Sequence, residues 1–343
     1  LELLAKLSEA AGIPGREEEV RSLVKEALAG CVDEIEVDRL GNVVAHKKGK
    51  GPKVVVAGHM DEIGFLVSHI DEENGFLRIE PVGGFDPRTL IAARVVVHTQ
   101  NGRLLGLIGT KPIHILTDEE KKKEVRIQDL FVDVGLPGKE VKERVRIGDP
   151  VTLHQSFAQV GELVSGKSLD DRMGVYVGIE ALKRAKNHQA DIYFVGTVQE
   201  EVGLRGARTS AFAIDPDIGV ALDVTLACDM PGVQAHEQVT KLGKGVAIKL
   251  KDAASISHPG LVRFLVALAE ERKIPYQMEI LPRGGTDAGA IQLARQGAAV
   301  VTISVPTRYV HTVVEAAHKA DIEAAIQLLT AFLENCHKAD LRL

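Results

Sequence analysis

The chain contains no tryptophan, and its aromatic residues amount to only 4%. Sugar and single-stranded nucleic-acid sites stack their ligands on flat aromatic faces, so this scarcity argues against both. The three cysteines, Cys31, Cys228 and Cys336, are scattered and form no C-x-x-C. A cysteine-built zinc site is therefore not expected, and a reducing compartment is. No apolar run approaches the ~20 residues of a membrane span. Nor does any charged-then-apolar secretory pattern follow Leu1, so a cytoplasmic location is expected. The balance of 42 basic and 48 acidic residues gives a net charge of −6, and no basic block stands out. Nucleic acid is not the expected partner.

What is present is a soluble globular composition, 45% hydrophobic and 26% charged, over 343 residues. That length exceeds one ordinary core and predicts two domains. Residues 1–30 read as helix, broken by GIPG at 12–15. EIEVDRLGNVVAHKKG reads as a hairpin, and VVVAGHMDEIGF as a buried strand running into polar residues. From 64 to 161 short β-like pieces alternate with Gly, Pro and Asn, which predicts a small β-rich insert. Beyond it strands such as IYFVGTV, IGVALDV and AAVVTISV alternate with amphipathic helices. The expected architecture is an α/β domain of residues 1–63 and 162–343, with a mostly parallel mixed sheet covered by helices on both faces.

The ionisable residues fall at one edge of that sheet. VVVAG runs into His59, IYFVGTVQ into Glu200 and Glu201, IGVAL into Asp223, and AAVVTISVPTRYV into His311. Ligands of open α/β sheets bind at the carboxyl ends of the strands. Asp170 and Asp171, in SGKSLDDRMG, add carboxylates at a helix entrance. Capping explains a single such aspartate. It does not explain two imidazoles and several carboxylates at successive strand ends. Two His with three or more carboxylates exceed one catalytic zinc and suit two divalent ions about 3.5–4 Å apart, sharing a carboxylate and a water. Zinc and cobalt both suit the donors. Asp61 lies two residues beyond His59, on the same face of extended backbone, where it can accept the ring N–H. Two adjacent glutamates repel each other unless cations are close. One of the pair then serves as ligand and the other as base.

GHMDEIG (58–64), KSLDDRMG (167–174), QEEVGLRGA (199–207), LDV (222–224), GGTDAG (284–289) and PTRYVHT (306–312) resemble the tetrahedral, or TET-type, metallo-aminopeptidases. These include the glutamyl and deblocking aminopeptidases. GTKPIHIL (109–116) and RIGDPVT (146–152) extend the resemblance through the insert. The resemblance implies a zinc-exopeptidase-like fold in which His59 and Asp223 hold one ion and Glu201 and His311 the other. It makes Asp170 the bridge, Glu200 the general base and Asp61 the residue that orients His59. The insert would be a PDZ-like dimerisation domain, with dimers forming a tetrahedral dodecamer.

The implied reaction is removal of N-terminal residues from short peptides by a water activated between the two ions. A co-catalytic N-acyl deacylase or carboxypeptidase is the nearer alternative. A glycoside hydrolase using Glu200 and Glu201 is the more remote one. Around the centre, Arg308 and Tyr309 are expected to line the substrate pocket, although a structural ion pair would equally occupy Arg308. Asp287 is read either as the group meeting the substrate amine or as the cap of the following helix.

Overall fold

The computed structural model describes residues 1–342. Helices α1 (Glu2–Glu9) and α2 (Glu18–Leu28) precede strands β1 (Glu34–Val37), β2 (Val43–Lys47) and β3 (Lys53–His59). Strands β4 (Gly64–Ile70), β5 (Phe76–Val82), β6 (Arg94–Thr99), β7 (Gly102–Gly109), β8 (Phe131–Asp133) and β9 (Pro150–Leu153) follow, with α3 (Gly138–Arg144) before β9. The chain continues through β10 (Ala158–Val160), β11 (Leu163–Gly166), α4 (Leu169–Arg184), β12 (Asp191–Thr197), α5 (Arg205–Ile214) and β13 (Ile218–Leu226). It ends with β14 (Val246–Lys251), α6 (Pro259–Arg272), β15 (Tyr276–Ile280), α7 (Asp287–Gln292), β16 (Ala299–Arg308), β17 (Glu315–His318) and α8 (Lys319–Asn335).

Eleven of the described strands form one sheet in the order β1-β2-β12-β3-β13-β16-β17-β11-β10, with β14 and β15 branching from β16. Its centre is parallel: β12 pairs β3, β3 pairs β13, and β13 pairs β16. Apart from the parallel β14–β15 pair, the flanks are antiparallel, through β1–β2, β2–β12, β14–β16, β16–β17, β17–β11 and β11–β10. The sheet is thus mixed, and parallel pairing is largely confined to the strands that carry the candidate ligands. This corrects the mostly parallel expectation.

Alternation along the central strands builds the two helical layers. Val54, Val56, Phe194, Val220 and Leu222 pack with α1, α2, α4, α6 and α8 in the larger core. Val55, Ala57, Val195, Ala221 and Val300 face α5 and α7 across a thinner layer rich in alanine. A run buried on both faces has no polar side, which is why these strands read as continuous apolar segments. Helix α4 lies close to the sheet because Gly178 has no side chain; a Cβ there would stand 2.2 Å from the Phe194 ring. This close seat carries Asp170, at the start of α4, to the strand ends.

Strands β4 to β9 close into a barrel in the order β4-β5-β8-β7-β6-β9, around its own core of Phe65, Val67, Leu77, Val95, Val132 and Val151. The small β-rich unit is therefore present as a six-stranded barrel. Strand β10, within the span assigned to the insert, pairs instead with β11 in the large sheet. Among the described residues no helix is long and apolar enough to cross a membrane.

Candidate metal centre

The candidate ligands stand at or near the ends of central elements. His59 is the last residue of β3, Asp223 lies in the carboxyl half of β13, and Glu200 and Glu201 follow β12. Asp170 lies in the first turn of α4, where its own dihedrals are non-helical, and His311 follows β16. Several of these loops use backbone that side-chain-bearing residues seldom adopt: φ is +56° at Gln199 and +63° at His311. The turn at Gln199 breaks the up-down alternation of the strand. Consecutive glutamates can then address one site, and the Asp61 carboxylate accepts both their backbone N–H groups, from Glu200 at 3.0 Å and from Glu201 at 3.1 Å.

The side chains converge. Asp170 Oδ1 lies 3.1 Å from His59 Nε2, and Asp170 Oδ2 lies 3.3 Å from His311 Nε2. His311 Nε2 is also 3.4 Å from Glu201. Two groups arise whose ligand atoms lie within 4.8 Å of one another: His59 with Asp170 and Asp223, and Asp170 with Glu201 and His311. Asp170 belongs to both. Glu200 belongs to neither, and its carboxylate stands 3.9 Å from His59 Nε2.

His59 Nδ1 lies 3.0 Å from the main-chain carbonyl of Asp61, whereas the Asp61 carboxylate is 3.6 Å away. The expected orienting contact therefore comes from the backbone of Asp61, because its carboxylate is engaged by the two glutamate N–H groups. Asp171 is directed away from the ligand groups. It accepts the His59 N–H at 3.2 Å and the Gly174 N–H at 2.9 Å.

Glu315, which carried no sequence signal, clasps two ligand segments at once from the start of β17. It accepts the His311 N–H at 2.7 Å and the Asp170 N–H at 3.0 Å.

The electrostatics favour cations. Asp61, Asp170, Glu200, Glu201 and Asp223 gather here, yet among the described residues their ion-pair contacts are with His59 and His311 alone. Burial pushes Glu200 and Asp223 well above the usual carboxylate range, and neighbouring carboxylates push further. Burial also raises Glu201. Burial opposes a charge on His59, but Glu200, Asp170 and Asp61 outweigh it and hold that ring well above its ordinary pKa. Such a set takes up protons when it lacks metal, and its donors suit divalent ions.

This proton uptake has a measurable consequence. In the metal-free chain burial, reinforced by Asp170, pushes Glu315 from 4.5 up to about 8, and burial pushes Asp287 from 3.8 to about 6. Burial works against His311, yet Asp170 and Glu201 draw it from 6.5 to about 11. Groups with raised folded-state values contribute stability that is complete below their unfolded values and lost as pH rises through the folded ones. The melting temperature of chelator-treated protein should fall between about pH 5 and about pH 8, and less so with Zn²⁺ or Co²⁺ present. Asp170 has the opposite sign. Burial resists its ionisation, but His311 and His59 hold it below the usual range, so its contribution is lost on strong acidification.

A cavity of about 550 Å³ opens over the centre. Its walls include His59, Asp170, Glu200, Glu201, Asp223 and His311, with Leu204, Val224, Leu226, Leu281, Val310, Lys249, Arg283 and the Gly284–Thr286 turn. Two expected pocket residues are not in the wall. Arg308 is bound to Asp229, with Nε donating to Oδ1 at 3.0 Å and the guanidinium 2.9 Å from Oδ2. Tyr309 is 47% exposed and also lies outside the lining. Replacing Arg308 with Ala should therefore cost about 1 kcal/mol of stability and leave the ratio of rates on acidic and basic aminoacyl substrates unchanged.

Asp287 neither caps its helix nor reaches the cavity. Thr286 occupies the cap position, and Asp287 is buried with Oδ2 accepting from Thr197 Oγ at 2.5 Å. Lys249 and Arg283 were not anticipated. Lys249 is fully buried on β14 with Nζ 3.0 Å from Glu279, while Arg283 is exposed at the cavity edge.

A mixed α/β sheet that gathers imidazoles and carboxylates at its parallel strand ends has the donor set of a metal-dependent hydrolase. Residues 41–328 match the M42 glutamyl aminopeptidase family, and the chain belongs to that family. It is 40% identical over 345 residues to the lysyl aminopeptidase of Pyrococcus furiosus, covering 99% of this chain and 98% of that one. Aminopeptidase APDkam598 of Desulfurococcus kamchatkensis superposes with a TM-score of 0.93 at 43% identity, over 97% of this chain and 94% of that one. The TET1 peptidase of Pyrococcus horikoshii, described as assembling into a tetrahedron or a large octahedral shell, has a TM-score of 0.86. It is 34% identical, with 97% of this chain and 98% of that chain covered. The chain is thus a hydrolase of the aminopeptidase class.

Proposed function

We propose that the chain is a dinuclear metal-dependent aminopeptidase that removes N-terminal residues from short peptides. His59 and Asp223 would hold one divalent ion, Glu201 and His311 a second, and Asp170 both. The observation that carries this reading is the position of Asp170, 3.1 Å from one imidazole and 3.3 Å from the other. When bound, such ions supply Lewis acidity toward the scissile carbonyl and favour ionisation of water.

The chain's own groups do the remaining work. Glu200 takes a proton from the attacking water and returns it to the leaving amine. Asp61 fixes the Glu200 backbone, so the carboxylate is aimed without holding an ion itself. Leu204, Val224, Leu226 and Leu281 provide an apolar wall that limits water around the bound residue. Zinc or cobalt suits the donors.

The two-part organisation belongs to the same proposal. Residues 1–63 and 162–343 form the catalytic domain. The β4–β9 barrel between them, without β10 of the large sheet, supplies a PDZ-like dimerisation unit, its β7 and following loop presenting exposed Leu105, Leu107, Ile113 and Ile115. A tetrahedral dodecamer is the proposed assembly. Cys31, Cys228 and Cys336 are free thiols, in accord with a cytoplasmic setting.

A panel of aminoacyl-p-nitroanilides, together with one peptide in free and N-acetylated forms, tests the function. Hydrolysis should require the free amine, stop with a chelator and return with Zn²⁺ or Co²⁺. Release from the carboxyl end, or only from the acetylated peptide, would favour the carboxypeptidase or deacylase alternative.

A further inference from the structure

Behind the centre lies a second ionic cluster to which no ligand role falls. Glu62, Lys167 and Arg172 are all buried. Glu62 follows Asp61 and stands three residues beyond His59, while Lys167, Ser168 and Arg172 flank Asp170. Glu62 Oε2 accepts from Lys167 Nζ at 2.6 Å and from Ser168 Oγ at 2.5 Å. Its Oε1 accepts the Gly12 N–H at 3.1 Å and lies 3.5 Å from the Arg172 guanidinium. Arg172 donates onward to the carbonyls of Leu7 at 2.6 Å and Ala10 at 3.0 Å. The Glu62 N–H closes the cluster on the Gly12 carbonyl at 2.9 Å.

Burying ions costs several kcal/mol each, so an ion cluster is a poor choice where apolar packing would serve. Here two cations surround one anion, and the segments they join are those that carry His59 and Asp170. The loop at Ala10–Gly12 is the third member, tied to both. Removing Glu62's charge leaves Lys167 and Arg172 facing each other without a shared partner, and within the cluster the two segments are then joined only indirectly, through the carbonyls of the Ala10–Gly12 loop.

We infer that Glu62 is a positioning residue, which clamps the segment after His59 to the segment around Asp170 and so sets how tightly the centre binds its ions. This rests on the proposed dinuclear function. Supporting groups one step behind metal ligands change affinity by about 10–100-fold when removed, and Glu62 holds two such segments.

The test is calorimetric titration of chelator-stripped full-length protein with Co²⁺ alone, alongside thermal melting. Glu62→Gln should bind Co²⁺ about 10–100-fold more weakly in its folded form. A merely structural role would lower the melting temperature and leave the affinity of the folded protein unchanged, and that result would overturn the inference. If Glu62→Gln does not fold, Ser168→Ala decides. It removes one donor to Glu62 and no charge, and should weaken Co²⁺ binding at least about twofold; unchanged affinity would overturn the inference. Failure of the unaltered protein to bind Co²⁺ would refute the metal reading, and this inference with it.

Discussion

Glu200→Gln should lower turnover by about 10²–10⁴-fold while leaving metal content unchanged. The amide has nearly the shape of the carboxylate but cannot accept a proton. Its backbone N–H would keep its 3.0 Å bond to Asp61, so the loop should not move. Glu200 also stands outside both ligand groups. Burial and the nearby carboxylates raise its pKa without metal, a bias toward the protonated form. Two adjacent cations would reverse that bias. Rate measurements on a free-amine substrate, paired with elemental analysis, separate the outcomes. Near-normal turnover would remove Glu200 as the base, and loss of metal would make it a ligand.

Asp170→Asn should be as damaging to catalysis for a different reason. Asp170 is the side chain common to both groups, with one oxygen toward each imidazole. The amide offers a single neutral acceptor oxygen and puts donor hydrogens where a second ligand atom was needed. Both ions should be weakened together, by at least about 100-fold, since even groups behind ligands are worth 10–100-fold. Titration of the stripped variant with Co²⁺ should fail to reach two equivalents at concentrations that saturate the unaltered protein. Asp171→Asn is the informative neighbour. Its carboxylate accepts only backbone N–H groups, at His59 and Gly174, so it should lose stability more than stoichiometry. A variant at Asp170 that still filled both positions would remove it as the shared ligand.

The sequence was most readable where chemistry and burial coincide. His59 and Asp223 terminate or interrupt runs that are otherwise apolar, so their polarity stands out against the core. Glu200 and Glu201 stand out through their adjacency. The hairpin of β1 and β2 was legible, but the opposite flank was less so, because β10 and β11 are short and partly exposed and such strands carry no mark of direction. Lys249 illustrates the same difficulty from the other side. Nothing local in VAIKLK marks this lysine as buried, yet β14 lies between β15 and β16, and its register partner is Glu279. Burial there depends on a strand about thirty residues downstream.

Long-range pairs account for the other differences. Arg308 meets Asp229, 79 residues away in sequence, and nothing near PTRYVHT announces that partner. Glu315 clasps Asp170 from 145 residues away. Asp287 has the sequence position of a helix cap, but tertiary contact turns its carboxylate toward Thr197 and leaves the cap position to Thr286. Local pattern fixes which residues are able to ligate or cap. Which of them do so depends on contacts that only the folded chain brings together.

The central claim is that one shared carboxylate organises two cation positions. Anomalous scattering from crystals soaked in Zn²⁺ or Co²⁺ tests it most directly. The account predicts two peaks per chain, one among His59, Asp170 and Asp223 and the other among Asp170, Glu201 and His311. Peaks elsewhere, or a single ion that does not touch Asp170, would contradict it.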